Sequence, residues 1–172
     1  MRFSSFALAA ALVAVATPAR AQKGGLDDAA IVGIFDAANT WDIGTGGLAK
    51  SGATKQEVKD FARMLVDAHT AVRKQGRALA GKLGVTPTPV AREFALAVDY
   101  RDTMKKLAAL KGTAFDRAFL EHEIAYHQAV IDAVTKQFLP TIKNAELKAF
   151  VESVAPAFVA HLQGAKELLA KL

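Results

Sequence analysis

The 172-residue chain carries 22 lysines and arginines against 17 acids, a formal charge of +5, and it has no cysteine. That absence excludes disulfides, cysteine nucleophiles and the lipid-modified cysteine of a bacterial lipoprotein. The basic residues are scattered, and no basic block with interleaved aromatics occurs, so a nucleic-acid partner is not expected.

Arg2, the unbroken apolar run from Phe6 to Ala16 and the Ala19-Arg20-Ala21 triplet have the order of a secretory signal peptide. Cleavage after Ala21 is predicted, and loss of Arg2 and Arg20 lowers the formal charge from +5 to +3. The alternative, a retained membrane anchor, needs a span of roughly 20 apolar residues, and this run is shorter. No later segment is apolar enough to cross a bilayer. The remaining residues, 22–172, are predicted to form one exported domain. The periplasm is its first expected location, with secretion or envelope association as alternatives. A chain of about 150 residues buries close to 70% of its unfolded surface, enough for a core without disulfides.

Past Ala21 the apolar residues recur at spacings of three and four, so the predicted class is all-α. Four long helices are predicted over about 27–50, 54–83, 113–139 and 144–172. Thr54-Lys55-Gln56-Glu57 reads as a capping box, Thr113-Ala114-Phe115-Asp116 as a weaker one, and Asn144 as an N-cap. Gly84 reads as the stop of the second helix and Pro140 as the stop of the third. The connection 84–112 opens with Gly84-Val85-Thr86-Pro87-Thr88-Pro89 and resumes a helical pattern through Phe94, Val98, Met104 and Leu107. It is long enough to carry the chain from one end of a bundle to the other, which is the ferritin-like connectivity. An up-down-up-down bundle with the extra helix folded back is the competing plan.

Each long helix has a stripe at alternating four- and three-residue spacing, the face that meets its neighbours. These stripes run Ile31, Phe35, Ala38, Asp42, Thr45, Ala49; Val58, Ala62, Leu65, His69, Val72; Leu120, Ile124, His127, Ile131; and Val151, Val154, Phe158, His161, Ala165. Three of the four histidines therefore fall on seams of three different helices, at similar distances along them. Glu123 precedes His127 by four residues and shares its face. Imidazoles and carboxylates are costly to bury unless they are bonded, paired or ligated. Two readings follow: one divalent transition metal (Zn, Fe, Mn or Cu) held by His69, His127 and His161 with Asp42 or Glu123, or a metal-free hydrogen-bond network.

His122 lies off the stripe and is expected in solvent, and Asp67 could reach His69 only indirectly. Trp41, Phe61, Phe94, Phe115, Phe119 and Phe150 are assigned to the core. Gly44, Gly46 and Gly47 suggest close approach of a neighbouring backbone beside Asp42, and Pro156 suggests a kink near His161. No Ser-His-acid constellation and no phosphate loop occurs. An enzyme with a substrate-sized pocket is a third option, nothing identifies a substrate, and a protein partner or homo-oligomer stays open.

Asp42-Ile43 with Gly46 and Leu48-Ala49, Val58-Lys59-Asp60-Phe61-Ala62, Met64-Leu65-Val66-Asp67-Ala68-His69-Thr70, Phe115-Asp116-Arg117-Ala118-Phe119, Glu123 with His127, and Pro156 with His161-Leu162 resemble DUF4142, an exported bacterial ferritin-like family of unknown function. The resemblance spans nearly all of 22–172 and implies a ferritin-like four-helix fold and an exported address. It implies no established activity. Members more usually carry an acid directly before the second-helix histidine, where this chain has Ala68. Glu-x-x-His, which di-iron carboxylate bundles use, occurs nowhere, so a mononuclear site is favoured over a di-iron cage.

Overall fold

The computed structural model describes residues 26–172; the signal-peptide reading at 1–21 lies outside them. Its helices are α1 (Asp28–Gly52), α2 (Gln56–Leu83), α3 (Ala95–Ala108), α4 (Gly112–Ala133) and α5 (Ala145–Leu169). A π-helical turn (Val134–Phe138) and a short closing turn (Leu139–Thr141) extend α4. The fold is all-α, and among the described residues no helix is long and apolar enough to cross a membrane.

Two apolar clusters fix the chain direction. One unites Ile31, Ala80, Phe138 and Leu147, which lie at the start of α1, the end of α2, the end of the α4 extension and the start of α5. The other unites Ala49, Val58, Phe115 and Ala165 from the opposite ends of the same helices. So α2 and α4 run parallel, and the chain must travel the bundle's length between them. It does so through α3, with Phe94 packed at the first end and Leu107 at the second. This is the ferritin-like crossover, and the up-down-up-down alternative fails.

The crossover begins by crossing α1 at very short range. The Thr88 N–H donates to the Ala29 carbonyl at 3.0 Å. A Cβ at position 33 would lie 1.9 Å from the Thr88 carbonyl oxygen, so only glycine fits there. Gly46 likewise admits α2, with the Ala62 carbonyl 3.3 Å from where a Cβ would stand. At Gly44 it is the Tyr100 ring that closes in, and at Gly47 nothing does.

Helix caps differ from the sequence expectation. Gly84 closes α2 at φ 64°, and the Asn144 side chain accepts from the Glu146 and Leu147 N–H groups, both as predicted. The two capping boxes do not form: Lys55 and Lys111 are the N-caps, and neither makes a side-chain cap bond. Instead the fully buried Asp116 accepts from the Thr54 and Lys55 N–H groups at 2.7 and 2.8 Å. Asp28 does the same for Lys143 and Asn144, at 2.9 Å each. Each hairpin loop is thus held by an acid near the start of the helix that opens the other hairpin. Pro140 does not stop the third helix abruptly. The ladder first widens, with the Leu139 N–H reaching the Val134 carbonyl, and helical backbone continues to Thr141. Pro156 sits inside α5, which continues to Leu169; its missing N–H leaves the Glu152 carbonyl without a helical donor.

Candidate metal centre

The seams meet halfway along the bundle. Asp42 comes from α1, His69 from α2, Glu123 and His127 from α4, and His161 from α5; all five are buried, none more than 6% exposed. The imidazole centroids form a near-equilateral triangle: 5.5 Å between His69 and His127, 5.1 Å between His69 and His161, and 5.2 Å between His127 and His161. Four separate helices bring these side chains to one interior point.

Outer partners set the orientation of two rings. His69 Nδ1 lies 2.9 Å from Asn39 Oδ1, and the Asn39 amide in turn donates to the Phe35 carbonyl at 2.8 Å. With its amide group so used, Asn39 presents an acceptor, so His69 carries its proton on Nδ1 and a lone pair on Nε2. His127 Nδ1 is 3.0 Å from the Glu123 carbonyl, an obligate acceptor, which again leaves the lone pair on Nε2. Phe158 stacks on His69 at 5.7 Å, nearly parallel. The Thr45 hydroxyl lies 3.0 Å from the Asp42 carbonyl and 3.2 Å from Glu123 Oε1.

Asp42 Oδ2 stands 3.4 Å from His69 Nε2 and 3.6 Å from His127 Nε2. Ligand atoms around a tetrahedral ion with bonds of about 2.0–2.1 Å lie roughly 3.3–3.4 Å apart, so the spacing is on the scale of an ion's first shell. Ligand atoms of the three histidines all lie within 4.8 Å of one another, and so do those of Asp42, Glu123 and His127. Glu123 Oε2 is 3.4 Å from His127 Nδ1, on the far side of that ring from Nε2.

Burial dominates the electrostatics. It holds His69 down at about 2, with His127 and His161 adding to the effect, and His161 at about 4. Both imidazoles are therefore neutral at pH 7, the form that ligates metals. Burial raises Asp42 well above the usual carboxylate range, with the Glu123 charge adding to it, and raises Glu123 to about 8. Among the described residues, the buried side-chain atoms without a hydrogen-bond partner are both Asp42 oxygens, His69 Nε2, Glu123 Oε2, His127 Nε2 and His161 Nδ1. All belong to these five residues. Buried polar atoms in folded proteins are nearly always satisfied, so this concentration at one point calls for a partner.

Sequence reasoning passed over Asn39, three residues before Asp42 on the same face of α1, a spacing that could have identified it. It also passed over Tyr126, whose buried hydroxyl donates to the Ala38 carbonyl at 2.9 Å beside the His127 ring. Asp67 is exposed and takes no part. His122 is not in solvent: α3 covers it, its side chain is 8% exposed, and Nδ1 lies 3.1 Å from the Thr103 hydroxyl and 3.5 Å from Asp99. Burial lowers it to about 4. Of the aromatics assigned to the core, Phe61, Phe115 and Phe119 are buried, while Trp41, Phe94 and Phe150 are half-buried.

Solved structures share the architecture. A DUF305 fragment from Deinococcus radiodurans is 15% identical, with 82% of this chain covering 93% of that one at a TM-score of 0.70. CopM in its Cu(II)-bound form is 15% identical, with 85% covering 97% at 0.68. CopM in its Ag-bound form is 17% identical, with the same coverage at 0.65. At such identities the likeness is one of fold. No curated protein matches in sequence. Residues 13–168 match the domain of unknown function DUF4142; the motifs around Asp42, His69, Glu123 and His161 that suggested this family are the ones gathered at the bundle's centre, and the chain belongs to it.

Proposed function

We propose that this protein is exported through residues 1–21 and holds one transition-metal ion inside the bundle. His69 Nε2, His127 Nε2, His161 Nδ1 and Asp42 Oδ2 are the ligands, and Glu123 orients His127 from behind. The observation that carries this reading is the collection of unpartnered buried donors on five converging residues. A bound cation would satisfy the lone pairs and favour the ionised form of Asp42, whose burial is otherwise unfavourable.

Imidazole and carboxylate together suit zinc, copper, iron or manganese. Copper stands first among the ions to test because a protein of like fold was solved with Cu(II) and with Ag. Four protein ligands would leave no open position for a substrate, which favours binding or carriage over catalysis. A second reading has one specific support: Asp42 and Glu123 both favour protonation, as a dry network with a shared proton would need. Equilibrium dialysis of tag-free protein against the four ions distinguishes the two. One ion per chain, lost in His127→Ala, supports the metal centre. No retention of any of the four, with no thermal stabilisation by them, supports the dry network.

A further inference from the structure

Away from the histidines, an apolar cavity of about 120 Å³ lies between the start of α1, the last third of α2 and the start of α5. Ile31, Phe35, Leu147 and Val151 wall it. On the α2 side Gly76 leaves room for the chamber; a Cβ there would stand 3.4 Å from the Phe150 ring and 4.0 Å from Phe35. The polar groups on its lining are Asp36, Arg73 and Arg77. Arg77 grips Asp36 through Nε at 2.5 Å and Nη2 at 2.9 Å, while Arg73 reaches the same carboxylate through Nε at 3.2 Å. Two guanidinium groups share one carboxylate, so the lining keeps one unbalanced positive charge. Arg73 and Asp36 are 29% and 25% exposed, which reduces screening at Arg73, while Arg77, at 56%, lies open to solvent.

We propose that this cavity is a binding site for a small single-chain carboxylic acid, its alkyl tail in the apolar chamber and its carboxylate on Arg73 and Arg77. The volume sets the tail length. An apolar protein cavity of roughly 150 Å³ stays dry and accepts benzene, so a chain of about six carbons fills this one. A net cationic group at an apolar chamber selects an anionic head over a neutral one, and paired guanidinium groups suit a carboxylate's two oxygens.

Isothermal titration of the purified protein with carboxylates of four to ten carbons, and with the matching alcohols, tests this site. Affinity is expected to tighten about three- to fourfold per added methylene and to stop improving near six to seven carbons. Hexanoate should bind about tenfold or more tighter than hexanol. Arg73→Gln should erase that preference, while Asp36→Asn, which frees both arginines, should tighten hexanoate. Gly76→Val should weaken acid and alcohol alike by filling the chamber. Because the Arg73 and Asp36 substitutions lie at the solvent edge and act in opposite directions, misfolding cannot imitate the pattern. No saturable binding of any carboxylate, equal affinity for acid and alcohol, or indifference to both charge substitutions would overturn the assignment.

Discussion

Asp42 faces opposite demands at the residue scale. Without a cation its burial works against the charged form, and so does the carboxylate of Glu123; with a cation its charge is the balancing one. A raised acid stabilises the fold fully only below its unfolded value near 4, and that contribution is lost as pH rises toward the folded value. For Glu123 the window runs from about 4.5 to about 8. The histidines act in the opposite sense. His69, lowered to about 2, and His161, lowered to about 4, favour the fold above 6.5 and lose that contribution as pH falls below it. Metal-free Asp42→Asn is therefore expected to melt higher than wild type at pH 8 while binding metal at least 100-fold more weakly. Metal-free His69→Phe is expected to lose less stability than wild type between pH 6.5 and 4. Melting curves across pH, with dialysis for affinity, check both. The seam residues were legible in the sequence because burial on a helix follows fixed spacing. The spacing of Asn39 from Asp42 was legible too, but its role was not, since that depends on which ring nitrogen faces it across the α1–α2 contact.

Helix existence and bounds were legible at the element scale, because Gly84 and Asn144 act within their own turn. The hold on the two hairpin loops was not. Asp116 and the loop it holds are more than 60 positions apart, with the contact made only after the hairpins dock. Asp116→Ala removes two bonds to a buried carboxylate, about 2–4 kcal/mol, and is expected to lower Tm by roughly 10 °C at 2–4 °C per kcal/mol. Thr54→Ala, which the capping-box reading would make costly, is expected to shift Tm by less than about 2 °C. Calorimetry of the two variants compares them directly. The π-helical turn before Pro140 had no local sequence signal, and a proline at the end of an apolar stripe reads as a simple stop.

For the whole molecule, the long connection was legible as a crossover because its length and resumed periodicity fit a helix laid along the bundle. What that helix covers was not. His122 lies off the four-helix seams, and only the packing of α3 over α4 explains why it is shielded. The ferritin-like connectivity places one seam residue from each long helix at mid-height, so ion binding would tie both hairpins together. Metal at 100 times its Kd is expected to add about 2.7 kcal/mol, a Tm rise of roughly 5–10 °C, absent in the His127→Ala variant.

Anomalous diffraction from crystals grown with copper or zinc locates the ion itself. One interior peak is expected, about 2.0–2.1 Å from His69 Nε2, His127 Nε2 and His161 Nδ1, with Asp42 Oδ2 completing the shell. Crystals with metal only on the surface, and with the three imidazoles bonded to water or to neighbouring side chains, would contradict a shared ion at the bundle's centre.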